Sequence, residues 1–355
     1  MADARTKITE LATALGLTGH ATLQSALEAR PPILEIEPDM WASLDAISRS
    51  GKWEEEAETA FANGAYFAAH AGGLNGRVPQ RIEWSGGRKM PGDQQVPADL
   101  LIDHVYTISC KYRSKVLFNP APARLFLDHL AVTSRPPGKN WFQEVAPRAH
   151  EALYARTVEV LGLEDMAETP VAQTSEQRER LKAALRARGV SGLPREVIRE
   201  YALLIDRVSR VSAKRWRKTL DDKAEEERML WRLLRIYSAT YFVLGVDERQ
   251  PMRFRVVTPW EWRQAYEFLS LEVREAGRGQ PMVDWSATYR HRASGHRRRV
   301  EGHVEIRWSH GPFNNPPEAK IYLDTPHDEV PGYLDLDGRD DGPLYEQQRL
   351  INSGL

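Results

Sequence analysis

Asp99 and Lys111 are the side chains whose type and spacing in this sequence point most directly to chemistry. They fall in two apolar stretches, 98–103 and 105–112, each of which predicts a β-strand covered on both faces. A turn around His104 would make the strands neighbours and bring the carboxylate towards the ammonium group. Burying such a pair costs free energy unless the two groups are partnered or serve a site, so we predict an active site here.

Alternation along the second strand sorts the side chains around this site. Ser109 and Lys111 share the face that also carries Asp99 of the neighbouring strand, whereas Cys110 points to the other face. We therefore expect Ser109 beside Asp99 and Lys111. A shift of one residue in the register would exchange the two faces, so this expectation depends on the predicted turn.

The two segments also resemble a family signature. Residues 97–99 (Pro-Ala-Asp) and 109–111 (Ser-Cys-Lys), with Lys111 twelve positions after Asp99, are similar to the motif of the PD-(D/E)xK nucleases. The resemblance spans roughly residues 50–130. It implies that Asp99 and a second acid hold one or two Mg²⁺ or Mn²⁺ ions, and that Lys111 positions or activates the attacking water. It also implies hydrolysis of DNA phosphodiester bonds, in restriction or anti-phage defence.

Ser109 stands where that family has an aspartate or a glutamate. A hydroxyl binds Mg²⁺ weakly compared with a carboxylate, since hard cations prefer charged oxygen. A further carboxylate is therefore needed from another part of the chain. The candidates are Glu54 and Glu58, four positions apart on a predicted helix, and Glu83 on the preceding strand. Asp103 lies on the same strand face as Asp99 but further along it, and is less favoured.

Glu54 is favoured among these acids. Apolar residues recur at helical spacing over 53–62, which predicts an amphipathic helix. Residues 51–54 (Gly-Lys-Trp-Glu), with Gly64 at the expected helix end, are similar to the start of the glutamate-bearing helix of the nuclease family.

The order of predicted elements, a helix, three strands and a helix, is that of an α/β core. Together with the motif it resembles a restriction-endonuclease-like core with a mixed sheet, followed by a helical middle region and a C-terminal β-rich module. The middle region is predicted to stay helical from about 148 to 246. The expected division is an N-terminal helical segment at 1–45, a nuclease-like core at 46–147, a helical domain at 148–248 and a C-terminal β-rich domain with a mobile tail at 249–355.

Two clusters of basic residues predict contacts with DNA phosphates. Residues 290–299 hold five arginines, two histidines and no acid, between two predicted strands, and are interpreted as a hairpin tip. Residues 214–218 place a tryptophan among basic residues. The alternatives are a solvated loop for the first cluster and a solvated helix face for the second. The residues expected to contact DNA are Arg290, Arg292, Arg297, Arg298, Arg299, Arg215 and Arg217.

Aromatic and histidine residues of the C-terminal segment receive structural interpretations. His303 and Glu305 are two apart on a predicted strand, but no third metal ligand stands at a recognisable spacing, which favours a structural role. The tryptophans are expected in the core rather than on a base-binding surface, and they are Trp260, Trp262, Trp285 and Trp308.

Composition sets the remaining limits. The net charge is −1 and the hydrophobic share is 41%, which excludes a disordered chain and does not mark the whole protein as a nucleic-acid binder. Cys110 is the single cysteine, so no internal disulfide can form and a cytoplasmic location is expected. We find no signal peptide and no apolar run of the ~20 residues that span a bilayer, so no membrane partner is expected.

Three functions are compatible with these observations. The first is a Mg²⁺-dependent endodeoxyribonuclease, for which a homodimer would supply the two sites that a duplex cut needs. The second is a catalytically inactive DNA-binding subunit with the nuclease fold, which Ser109 favours. The third is a protein–protein scaffold whose basic loops contact acidic partners.

Overall fold

Two β-sheets organise the chain in a computed structural model, which describes residues 4–85, 98–112, 116–130, 140–188, 192–247 and 250–336. The architecture of these residues is mixed α/β, with one mixed and one antiparallel sheet. The predicted class is therefore confirmed at this level. Pro97 and the predicted tail beyond 336 lie outside the described residues.

Four helices precede the first strand, and they are α1 (Ala4–Gly16), α2 (Leu23–Ala29), α3 (Pro38–Ser50) and α4 (Glu54–Ala69). Thr22 begins α2 through a capping box with Ser25, so two backbone N–H groups at this helix start are satisfied. Gly51 ends α3 with a φ of 66°, a left-handed conformation that glycine adopts at low cost. The predicted helix over 53–62 is present and continues as far as Ala69.

The predicted strands form an antiparallel meander of β1 (Ile82–Trp84), β2 (Leu100–Ile102) and β3 (Tyr106–Tyr112). Asp103, His104 and Val105 connect β2 to β3, and the first two have φ values of 49° and 58°. Two left-handed residues in succession are typical of the two-residue hairpin turn whose twist matches that of its strands. The predicted turn at His104 is confirmed, and the carboxylate of Asp103 ties it to the start of β1 by accepting the backbone N–H groups of Gln80 and Arg81.

A short strand and six helices follow, and they are β4 (Val116–Phe118), α5 (Pro122–Phe126), α6 (Trp141–Val145), α7 (Pro147–Leu161), α8 (Ser175–Ala187), α9 (Ile198–Thr219) and α10 (Lys223–Leu233). The prediction that the helical run lasts to 246 is wrong, because 241–247 is a strand, β5 (Tyr241–Asp247). Its aromatic and β-branched residues are buried on both faces, which suits the interior of a sheet. Periodicity alone does not separate such a run from a buried helix.

The remaining elements are β6 (Gln250–Val256), α11 (Pro259–Ala265), β7 (Tyr266–Glu275), β8 (Met282–His291), β9 (Arg297–Arg307), β10 (Glu318–Leu323) and β11 (Tyr333–Asp335). β8 and β9 pair antiparallel, which confirms the predicted hairpin with the basic tip at its end. No helix in the described ranges is long and apolar enough to cross a membrane.

The strands form two sheets, and each sheet takes strands from more than one of the predicted segments. The mixed sheet has the order β1-β2-β3-β5-β6-β11, in which β3 and β5 are parallel and the other neighbours antiparallel. The antiparallel sheet has the order β4-β10-β9-β8-β7. The mixed sheet therefore takes strands from the predicted nuclease-like, helical and C-terminal segments, while β4 of the nuclease-like segment joins the other sheet. The four-segment division stays a prediction about domains.

Two apolar clusters fill the interior. The smaller one packs α1 and α4 against one face of the mixed sheet, where Ile108, Cys110 and Tyr112 of β3 and Leu244 of β5 are buried. The larger one contains the inner face of the antiparallel sheet, the middle helices and the opposite face of β5 and β6. The mixed sheet is therefore covered on both faces at β5 and β6.

α1 and α4 cross at two glycines. A Cβ atom on Gly64 would lie 2.1 Å from the carbonyl oxygen of Thr13, and one on Gly16 would lie 2.1 Å from that of Phe61. The expectation that Gly64 ends its helix is wrong, since α4 continues to Ala69. Gly64 instead permits backbone contact between the two helices.

Replacement of Gly64 by alanine should therefore destabilise the protein. Alanine is the better helix former by ~1 kcal/mol, but the clash with Thr13 should outweigh this gain, because overpacking of a buried contact costs about 1–3 kcal/mol. Denaturant unfolding of Gly64→Ala should give a lower midpoint. Gly192→Ala is the matched control, since a Cβ there meets no atom within 4 Å. A Gly64→Ala protein as stable as the wild type would contradict this account of the crossing.

Candidate active site

A cavity of about 270 Å³ lies where α1 passes the ends of β2 and β3. Asp99 and Lys111 both line it, as the predicted strand pairing requires. A third charged residue, Glu10 of α1, lines it as well. The complete lining is Arg5, Thr6, Thr9, Glu10, Asp99, Cys110, Lys111 and Tyr112.

Asp99 is held in place by β3. Its backbone N–H donates to the carbonyl oxygen of Ile108 at 2.9 Å, which extends the β2–β3 ladder by one residue. Its carboxylate Oδ2 accepts the backbone N–H of Cys110 at 2.6 Å and the hydroxyl of Ser109 at 3.3 Å. Ser109 is 1% exposed and does not line the cavity. It therefore contacts Asp99 as predicted and positions that carboxylate.

Glu10 is the acid that the sequence interpretation missed. It is only 7% exposed, and its Oε2 accepts the indole N–H of Trp84 at 2.8 Å. Burial, with a smaller contribution from the negative charge of Asp99, raises the pKa of Glu10 to about 8. One signal in the sequence could have found it, because Glu10 is the only charged residue in the otherwise apolar or small stretch 8–17.

Lys111 brings a positive charge to the same cavity. Burial lowers the pKa of its ammonium group, and the nearby guanidinium of Arg235 lowers that pKa further. Asp99 acts in the opposite direction and stabilises the charged form. Two acids, Lys111 and Arg5 thus line one cavity.

Cys110 occupies the opposite face of β3, as strand alternation predicted. It packs in the smaller apolar cluster, and burial raises the pKa of its thiol well above the ordinary value. The cavity wall nevertheless includes it beside Lys111, so both faces of β3 contribute at this point.

The other predicted acids lie elsewhere. Glu54 and Glu58 line a separate cavity formed with α1, α2 and α3, and Glu54 is exposed in the first turn of α4. Glu83 forms an ion pair with Arg81 and lies 3.6 Å from the ring of His104. The structure therefore does not bring Glu54, Glu58 or Glu83 to Asp99.

Glu10 and Asp99 offer carboxylate oxygens, the type of ligand that Mg²⁺ and Mn²⁺ prefer. Within the described ranges, no group of three or more His, Cys, Asp or Glu side chains is gathered as a metal site. Mg²⁺, however, is commonly bound through one or two carboxylates and keeps several waters. The negative charge of Asp99 disfavours the ionisation of the buried Glu10, and a divalent cation near the two carboxylates would relieve that repulsion. The oxygen-only pair does not resemble the nitrogen and sulfur ligands of a structural zinc site.

The arginines of the basic hairpin tip, residues 290–299, differ in their contacts within the chain. Arg290 pairs with Glu267 at 3.0 Å, and Arg299 donates to the hydroxyl of Ser286 at 2.7 Å. Arg297 and Arg298 are exposed, and their side chains make no hydrogen bond or ion pair with any residue that the structure describes. These two guanidinium groups are the ones available to a phosphate.

The second basic cluster is built into the helical packing. Arg215 forms an ion pair with Glu144 and stacks over the ring of Trp141. Arg217 donates to the carbonyl oxygen of Val273 at 3.2 Å and lies 3.5 Å from Glu275. Contacts within the chain therefore account for both predicted DNA ligands of this cluster.

Comparisons with known proteins identified no relative of this chain. A scan against models of protein families, a search of curated proteins and a search of solved structures found no match to the chain.

The buried carboxyl of Glu10 predicts a specific pH dependence of stability. Its pKa of about 8 in the folded state lies above the ordinary 4.5, so the folded chain holds a proton that the unfolded chain has released between these values. The contribution is complete below the unfolded pKa and is lost as the pH rises through the folded pKa, so the free energy of unfolding falls across this window. Each unit of pKa difference corresponds to ~1.4 kcal/mol.

Glu10→Gln should remove this fall in metal-free buffer. Its gain in unfolding midpoint over the wild type should grow from pH 5 to pH 8. Glu54→Gln, at an exposed glutamate, is the matched control and should follow the wild type. Identical pH profiles for the wild type and Glu10→Gln would show that Glu10 does not hold its proton as described.

Proposed function

We propose that this protein is a metal-dependent DNA endonuclease of the PD-(D/E)xK type that uses Mg²⁺ or Mn²⁺. The observation that carries the proposal is the meeting of Glu10, Asp99 and Lys111 around one cavity. Residues from three separate parts of the chain supply two acids and one base there. A buried acid such as Glu10 is costly to a fold, and charged groups of this kind in a cleft mark candidate functional sites.

The order of the elements supports the same family. A helix precedes the antiparallel β1, β2 and β3, and a long helical connection then leads to β5, which pairs parallel with β3. This arrangement resembles the mixed sheet of a restriction-endonuclease-like core. Asp99 lies immediately before β2 and Lys111 near the end of β3, and in such a core these would be the positions of the motif residues.

Glu10 supplies the carboxylate that Ser109 lacks. In this proposal Glu10 and Asp99 hold the metal ion, while Ser109 and the N–H of Cys110 fix the direction of the Asp99 carboxylate. A bound Mg²⁺ would stabilise the negative charge that develops on the phosphate during hydrolysis. The ammonium group of Lys111 would supply a positive charge beside the same phosphate. Its N–H groups would orient the attacking water.

The setting follows from the same proposal. Cleavage of both strands of a duplex requires two such sites, which a homodimer would provide. The buried thiol of the single cysteine, Cys110, is compatible with a reducing cytoplasm. Restriction or antiviral defence is the role that the family resemblance implies.

One observation favours a second candidate, a catalytically inactive DNA-binding subunit with the same fold. Ser109 is buried and donates to Asp99, so it adds no ligand charge to the site. The cavity then offers two carboxylates. A protein that binds DNA but cleaves none with either Mg²⁺ or Mn²⁺ would support this candidate over the nuclease.

The nuclease proposal predicts that Asp99 and Lys111 are both required for cleavage. Nicking of supercoiled plasmid should depend on Mg²⁺ or Mn²⁺ and stop in EDTA. Asp99→Asn and Lys111→Met should each lower the rate by roughly 10²-fold or more, because groups that act in the transition state contribute on that scale. Lys52→Met, at an exposed lysine of the N-terminal region, is the control and should cleave normally. Wild-type rates in either site variant would sink the assignment.

Glu10 and Glu54 give a matched test of the second metal ligand. Glu10→Gln preserves the shape of the side chain and the acceptor for Trp84 but removes the ligand charge. Cleavage should fall by roughly 10²-fold at low Mg²⁺, with part of the rate recovered at high metal, because removal of a ligand weakens the ion site. Glu54→Gln should cleave like the wild type. Loss of cleavage in Glu54→Gln with normal cleavage in Glu10→Gln would instead assign the second metal ligand to Glu54 of α4.

A further inference from the structure

Trp260 departs from the expectation that it belongs to the core. It lies in the first turn of α11 and is 70% exposed, while its neighbour Trp262 is fully buried and donates its indole N–H to the carbonyl oxygen of Pro331. Exposing most of an indole gives up the free energy that its burial would contribute. Such an exposed ring is one that a partner can cover.

The helix that carries Trp260 is firmly seated. Thr258 and Glu261 form a capping box at its start, and Glu261 also forms an ion pair with Arg255 at 2.8 Å. Trp262 and Ala265 anchor its inner face in the larger apolar cluster. The indole of Trp260 is therefore presented on a fixed support, which lowers the entropy cost of binding.

The basic hairpin tip docks on the other end of the same helix. The backbone N–H of Arg292 donates to the carbonyl oxygen of Ala265 at 2.8 Å, and its Nε donates to that of Arg263 at 2.8 Å. From Trp260 to Ala265 the helix advances only roughly 7–8 Å along its axis, at 1.5 Å per residue. The helix that presents the indole and the hairpin tip are thus in direct contact, and Arg297 and Arg298 of that hairpin are exposed.

We propose that Trp260, Arg297 and Arg298 bind single-stranded DNA, with an unpaired base on the indole and the backbone phosphates at the two arginines. Within residues 290–299 there is no acid to oppose a phosphate chain. A projecting aromatic face stacks on bases that are already unpaired, and an adjacent basic track follows their backbone. This inference rests on the proposed function for its choice of DNA, and it names the substrate class as DNA with an unpaired stretch.

Binding measurements with defined variants test the surface. All proteins carry Asp99→Asn so that no probe is cleaved, and the probes are a labelled twenty-nucleotide thymidine strand and a duplex of equal length, followed by fluorescence anisotropy. Trp260→Ala should weaken single-strand binding by roughly tenfold or more, as expected when one base no longer stacks on the protein. Trp260→Phe should recover most of this affinity. Ile198→Ala removes another large exposed apolar side chain, 69% exposed on α9, and should change nothing.

Salt dependence separates stacking from phosphate binding. Each arginine that no longer neutralises a phosphate of the single strand lowers the slope of log affinity against log salt by ~0.7. The double variant Arg297→Ala with Arg298→Ala should therefore lower the slope by about 1.4, whereas Trp260→Ala should leave it unchanged.

Three results would overturn the inference. The first is that Trp260→Ala binds the single strand as tightly as the wild-type surface does. The second is that Trp260→Ala loses the same affinity for the single strand and for the duplex. The third is a lower melting temperature of Trp260→Ala, since the indole would then pack against the chain itself. Cleavage by the protein with native Asp99 is scored separately. Single-strand binding that depends on Trp260 in a protein that never cleaves would support this surface and refute the nuclease, whereas cleavage without any role for Trp260 would do the opposite.

Discussion

α1 and α4 approach each other so closely that backbone touches backbone, and the position of the candidate site follows from this contact. Gly16 and Gly64 leave no room for a side chain at the crossing. One turn earlier on α1, the hydroxyl of Thr13 forms a hydrogen bond of 2.8 Å with the hydroxyl of Tyr112 at the end of β3. α1 is thereby fixed against both α4 and the sheet. Glu10, one helical turn before Thr13, is carried to the end of β3 where Lys111 lies.

The same helix pair is tied to the centre of the mixed sheet by buried polar contacts. Asn63 of α4 donates to the carbonyl oxygen of Gly245 at 2.8 Å and accepts from the guanidinium of Arg253 at 2.9 Å. Gly245 is itself needed, because a Cβ there would lie 1.8 Å from the carbonyl oxygen of Lys111 on the parallel neighbour. Hydrogen bonds of this kind between buried or partly buried groups favour one arrangement of the elements over others. The strand that carries Lys111 is therefore fixed from both sides.

The sequence predicted the parts of the site that local rules govern. Asp99 and Lys111 lie a few residues from one hairpin, so strand alternation and a two-residue turn were enough to bring them together. Glu10 is 89 positions from Asp99 in the sequence. No local rule connects these two residues, and their meeting depends on a helix crossing made by two glycines. β5 was misassigned for a similar reason, since its apolar run becomes a strand only through pairing with β3 on one side and β6 on the other.

The cavity and the basic hairpin tip are connected through the packing of the two sheets. Glu10 and Asp99 repel each other when both are ionised, and the positive charges of Lys111 and Arg5 line the same cavity. In the proposed function, a bound cation would relieve the repulsion between the two carboxylates and would attract a phosphate. The antiparallel sheet that carries the tip shares the larger apolar cluster with β5 and β6 of the mixed sheet. The separation between tip and cavity is therefore set by packed side chains rather than by a linker, so a nucleic acid held at the tip would meet the cavity at a fixed distance along its backbone.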